Sequence, residues 1–179
     1  DKYNVEYINF VTADKLSDET IDKLEKENKV KIYDQRYYEL KESKRNATIR
    51  IYGERKNVNK LCVMSGKLAK NDDEIALDRV FAKNNNYKVG DNITIDKNTY
   101  KITGFIAMPD YSCVFEDNAD MMFDSVNFGV ASMTDSGLSK LKKSKLSYCY
   151  AVKYDKEPES DKKQKDMSDD FLENLSKQA

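Results

Sequence analysis

Two separated stretches of this sequence each read as strand, helix, strand, and a unit of that kind cannot bury its own faces without further strands. In the first, Val5, Tyr7, Ile8, Phe10 and Val11 carry the β-branched and aromatic types of a pleated surface. Leu16-Ser17-Asp18-Glu19 then announces a helix: Ser17 caps it, the two acids suit its positive end, and Leu16 staples onto Ile21. Residues 30–40 read as the second strand. In the later stretch residues 128–133 form a strand, Thr134 caps a helix with Leu138 and Leu141 on its apolar stripe, and residues 147–154 form the next strand. That second helix is expected to run on through Lys140, Lys142, Lys143 and Lys145, where its negative end welcomes cations.

Between the two units the pattern changes to short strands and turns. Residues 47–52 and 74–77 read as strands, and Asp78 caps a short helix through Val80 and Phe81. Gly90-Asp91 turns into a hairpin in which Ile93 and Ile95 alternate with polar residues, 96–99 make the loop, and Tyr100 and Ile102 continue. Residues 155–166 are nearly all charged and read as an exposed linker, after which Ser168 caps a last helix with Phe171, Leu172 and Leu175 on one face. The expected fold is therefore α+β in two lobes. Residues 1–45 and 128–179 supply a split β-α-β lobe, and 46–127 an inserted, more β-rich lobe.

The chemistry is defined mainly by exclusion. The chain has no histidine, which removes the usual general base of serine and cysteine nucleophiles and the commonest metal ligand. Ser65 and Lys67 flank Gly66, but such a pair arises readily in a lysine-rich chain, and Leu61 stands where a phosphate-binding loop would need its first glycine. Cys62, Cys113 and Cys149 are too scattered for a zinc site; they allow one disulfide and one free thiol, or three reduced thiols. No catalytic residue, cofactor or metal is expected, and the chain reads as a non-enzyme. With 31 basic and 32 acidic residues the net charge is −1, so no summed field attracts nucleic acid. No apolar run approaches the roughly 18 residues that cross a bilayer. The chain opens on Asp1 without a signal-peptide apolar region, and so reads as a piece of something longer.

Asp110, Glu116, Asp117, Asp120 and Asp124 crowd one region, but their spacing fits no calcium-binding loop. Large apolar groups interrupt these acids. Asp110, Tyr111, Phe115, Met121, Met122 and Phe123 together form a candidate partner surface if exposed, or plug the space between lobes if buried.

The middle of the chain carries a string that resembles a known family: Leu68, residues 71–78 (Asn-Asp-Asp-Glu-Ile-Ala-Leu-Asp), Ala82, residues 87–95 (Tyr-Lys-Val-Gly-Asp-Asn-Ile-Thr-Ile) and residues 100–105 (Tyr-Lys-Ile-Thr-Gly-Phe). It is similar to the extracytoplasmic region of FtsX-like and MacB-like ABC transporter permeases, where an EIAL strand precedes a short helix, a VGD turn opens a hairpin and an I-T-G strand leaves it. Residues 108–112 and 117–124 resemble the subset found in low-GC Gram-positive bacteria. The resemblance covers residues 45–135 and is weaker outside them. It implies a porter-like lobe built from both ends of the domain and an inserted, sabre-like lobe.

The resemblance further implies a membrane protein whose flanking transmembrane helices hold this domain on the extracellular side. A cytoplasmic ABC ATPase would drive it, and the domain would relay the motion to an extracellular protein, peptide or lipoprotein. That mechanical reading expects rigid lobes, chain ends close together and no deep polar pocket. The rival is a free-standing surface or secreted domain that binds a peptide or lipid in an apolar pocket.

Overall fold

A computed structural model describes residues 6–112 and 126–178. The fold is α+β, with a mixed sheet of ten strands among the described residues. Its first part is the split unit. Strand β1 (Ile8–Thr12) leads into α1 (Asp18–Asn28) and then β2 (Val30–Asp34), while β10 (Leu146–Tyr154) lies between β1 and β2, antiparallel to both. The helix starts at Ser17 because that residue is extended and its side-chain oxygen accepts the Thr20 N–H; it stops where Lys29 turns left-handed. Leu24 faces inward from α1 onto Ile8, Phe10, Val30, Tyr150, Val152 and Phe171.

The strand expected over residues 30–40 is two. Asp34 accepts the Arg36 N–H at 2.9 Å and also holds its guanidinium, so the chain turns a local corner. Beyond it, β3 (Tyr37–Lys41) leaves the β10 ladder after Leu146 and Ser147 and pairs with β4 (Thr48–Tyr52).

From β4 the sheet continues through β9 (Phe128–Ser132), β6 (Glu74–Asp78) and β8 (Asn98–Ala107) to an edge strand, β5 (Cys62–Gly66). β7 (Asn92–Ile95) pairs antiparallel with the first residues of β8, on the same side as β5. Alternation along these strands sends Ile49, Ile51, Ile75, Leu77 and Ile102 into a core on one face, and Tyr52, Ala76, Ile106 and Val130 into a smaller cluster on the other. Asp78 caps α2 (Arg79–Asn84) by accepting the Phe81 N–H, which lays the buried Phe81 ring on the sheet. A side chain at Gly129 would lie 2.6 Å from that ring, so only glycine fits beneath it. β5 has no counterpart in the sequence reading; most of its side chains are exposed and show no apolar alternation.

The hairpin turns on Asp96 and Lys97, both left-handed at φ 47° and 69°, between the paired Ile95 and Asn98. This primed two-residue turn matches the sheet twist but places a β-carbon-bearing residue where glycine is favoured. Lys97→Gly is expected to raise stability by about 1 kcal/mol, read as a higher urea midpoint at unchanged slope.

Two boundaries near the chain's end also differ from expectation. Thr134 does cap α4 (Asp135–Ser139), but the helix stops there, and Lys143–Lys145 form a separate 3₁₀ turn. The expected linker is largely helical: α5 (Asp161–Ser176) is capped by Ser160, which accepts the Lys163 N–H. Ser168, expected as the cap, lies inside α5 with its hydroxyl 2.7 Å from that of Tyr154.

Candidate functional site

β10 sends Tyr150 and Val152 into the core around Leu24 and Cys149 into the smaller cluster that holds Tyr52, and the seam between these two is polar. After β4 the chain runs through residues 53–61 across this seam, carrying Arg55 and Asn59 inward. Asn59 is fully buried at φ 48°. Its amide nitrogen donates to Glu6 at 2.8 Å and to Gln35 at 3.1 Å, and its oxygen accepts the Glu6 N–H at 2.8 Å. Gln35, at the corner between β2 and β3, donates in turn to the Val58 carbonyl. Arg55 donates to the Asn59 carbonyl and to Asp110, 2.5 Å away, with its guanidinium 4.3 Å from the centre of the Tyr52 ring. Asp110 stands at the head of the short helix α3 (Pro109–Ser112) that follows β8.

Burial sets the electrostatics. Loss of water raises the Glu6 carboxyl from 4.5 to about 7; Asp110 adds to the shift, while the Asn59 and Asn9 amides and Arg55 oppose it. The Cys149 thiol, facing the same seam from β10, is pushed up to about 11 mainly by burial, which keeps it protonated and a poor nucleophile.

Above the seam lies an open cleft of about 630 Å³, with Tyr33, Arg36, Tyr52, Glu54, Lys56 and Asp135 among its walls. The mechanical reading did not anticipate a cleft of this size. Among the described residues no group of three or more acidic or cysteine side chains is placed to hold a metal, and no helix is long and apolar enough to cross a membrane.

Of the candidate partner surface, Asp110 is turned inward: its carboxylate is only 5% exposed, because Arg55 holds it. It ties the head of the short helix that follows β8 to Arg55. Tyr111 belongs to α3, and Phe115, Met121, Met122 and Phe123 lie outside the described residues. Ser65 sits exposed on the edge strand, and Gly66 is explained by the sheet: it is left-handed at φ 63°, and a β-carbon there would fall 2.3 Å from the Thr103 carbonyl. Sequence reasoning missed Glu6, Gln35, Arg55 and Asn59. Arg55 was the available signal, an arginine in a chain whose cations are mostly lysine.

The Glu6 shift has a signed consequence. The native chain holds a proton that the unfolded chain releases above its ordinary value of 4.5. Stability is therefore fully present below that value, falls as pH rises, and levels off above about 7. The expected loss is at most about 3 kcal/mol. Urea unfolding at stepped pH should show this decline in the wild type and a flatter profile in Glu6→Gln.

No protein-family model and no curated protein matches the chain. Among solved structures, the fold is similar to the extracellular domain of the noncanonic ABC-type transporter YknZ from Gram-positive bacteria, at 13% identity and TM-score 0.45 over 85% of this chain and 78% of that one. It is also similar to the periplasmic region of MacB from Actinobacillus actinomycetemcomitans, at 16% identity and TM-score 0.46 over 90% of this chain and 74% of that one.

Proposed function

We propose that this chain is the extracytoplasmic domain of an ABC transporter permease of the FtsX-like and MacB-like kind, a mechanical part and not a catalyst. The observation that carries the reading is an insertion. β10, the strand that completes the β1-α1-β2 unit, arrives only after the whole of β3 to β9 has been threaded in. The two ends of the described chain also leave from one edge. The Tyr7 ring lies 4.9 Å from that of Tyr154, Tyr154 pairs with Val30, and Asn174 near the end of α5 donates to Asn28 at 2.8 Å. Two membrane helices flanking such a domain would require that geometry.

The string that resembles the family supports the same reading, since its parts fall on β6, capped α2, the turn at Gly90 and the β7–β8 hairpin. On this proposal residues 1–45 and 128–179 form the porter-like lobe and 46–127 the inserted lobe. The domain sits on the extracellular side of the cell membrane, and a cytoplasmic ATPase drives it. An extracellular protein, peptide or lipoprotein would meet it around Tyr111, Phe115, Met121, Met122 and Phe123. The cleft of about 630 Å³ favours the rival, a free-standing binding domain.

Expression of the full gene product in a bacterial host separates the two. The permease reading expects it in the membrane fraction, cleaved within this domain by protease added to intact protoplasts, and co-purifying with an ATPase. Recovery as a free protein in the medium would rule the permease out and leave the binding domain.

A further inference from the structure

Asn59 is fully buried, yet its side chain is committed to groups that belong to different parts of the fold. Glu6 leads into β1 and the first core; Gln35 stands where the chain passes from β2 to β3; Asn59 and Arg55 belong to the loop leaving β4; Asp110 follows β8. We infer that Asn59 is a latch between the two cores, and that the proton on Glu6 sets it: closed while Glu6 is neutral, released when Glu6 ionises.

Several groups face Glu6. Asp110 from α3 repels its charge, Arg55 from the 53–61 loop attracts it, Asn9 from β1 and Asn59 bond to it, and Cys149 faces it from β10 as a neutral thiol. Arg55 is already bound to Asp110. An ionised Glu6 therefore places a second carboxylate beside one guanidinium in a seam with little water, and desolvation disfavours it. The relief is local, because Glu6 precedes β1 and its side chain swings to solvent without breaking the Ile8–Val152 pairing. Leaving takes with it the bond from the Asn59 amide to the carboxylate, while the Glu6 backbone N–H still donates to Asn59. Asn59 then keeps Gln35 alone among these side-chain partners, and the loop that spans the seam is tied to the first core by the Glu6 N–H alone. The raised carboxyl, at about 7, puts the change in the neutral range. The latch stands whether or not the chain is anchored in a membrane.

Hydrogen exchange on the whole protein tests it, at about pH 5.5 and about pH 8, with each rate corrected for its intrinsic pH dependence. Protection of residues 53–61 is expected to fall about tenfold or more at the higher pH in the wild type. It should stay at its higher level at both pH values in Glu6→Gln. Asn59→Ala should show the lower protection at both, with the β strands still protected. If Asn59→Ala does not fold, the comparison of wild type with Glu6→Gln decides alone. Equal protection at both pH values in the wild type would overturn the latch, as would a pH step that survives in Glu6→Gln. A loss no larger in residues 53–61 than in the strands would also overturn it, since that reports global stability and not a seam.

Discussion

Arg55→Ala is expected to lower folding stability by about 3–5 kcal/mol, the cost of breaking a buried ion pair from one side. The side chains of Arg55 and Asp110 are 4% and 5% exposed, so removing the guanidinium strands a carboxylate out of water, close to the Glu6 carboxyl. The substitution also removes a hydrogen bond to the Asn59 carbonyl and the stack on Tyr52. The Arg36–Asp34 pair is the internal control. Its side chains are 37% and 36% exposed, solvent screens the charges, and Arg36→Ala should cost no more than about 1 kcal/mol. Replacing both buried partners, as Arg55→Met with Asp110→Leu, should recover most of the loss, because the desolvation cost of both charges disappears with them. Urea unfolding of the single and double variants measures the set. A loss under about 1 kcal/mol for Arg55→Ala would mean that the pair opens to water and does not fix the loop.

What the sequence disclosed follows from the range of the forces involved. Ser17, Asp78 and Thr134 each cap a helix by accepting an N–H from three residues ahead, a contact that local spacing determines. The β7–β8 hairpin and β9 were legible for the same reason, since their alternation and turn chemistry lie within a few residues. The break between β2 and β3 was missed although Asp34-Gln35-Arg36 interrupts the apolar residues and Asp34 turns onto the Arg36 N–H, because the parts of β10 and β4 that the two strands meet are distant in sequence. α5 was misread at its start because charge density was taken as disorder, whereas Ser160 and a sparse apolar stripe suffice to hold it. The polar seam was the least legible part. Glu6 and Asn59 lie 53 residues apart and Arg55 and Asp110 lie 55 apart, and no spacing rule connects them. Asp110 was left open between a partner surface and a buried plug, because an acid in an acidic stretch carries no local sign that a distant arginine follows it inside.

Phe171→Ala is expected to cost about 3–5 kcal/mol, an effect as large as the ion pair but of opposite chemical origin. Half of the residues of α5 are charged, and the side chains it packs on the first core are Met167, Phe171 and Leu175. Of these Phe171 is fully buried, its ring 5.7 Å from that of Phe10 and within the cluster that includes Leu24 and Tyr150. Truncation leaves a void between a helix and a sheet that cannot both close on it, so the transfer and cavity costs add. The adjacent Leu172 is 46% exposed, and Leu172→Ala should change stability by no more than about 0.5 kcal/mol. A helix held by one large side chain also detaches before the sheet unfolds. The Phe171→Ala protein should therefore lose exchange protection over 161–176 at denaturant concentrations where β3, β4 and β9 keep theirs. Equal loss in α5 and those strands would show that the two cores unfold as one unit. Retained protection in α5 would show that Met167 and Leu175 dock it unaided, and that the return of the chain to Asn28, on which the shared exit of its two ends rests, does not depend on Phe171.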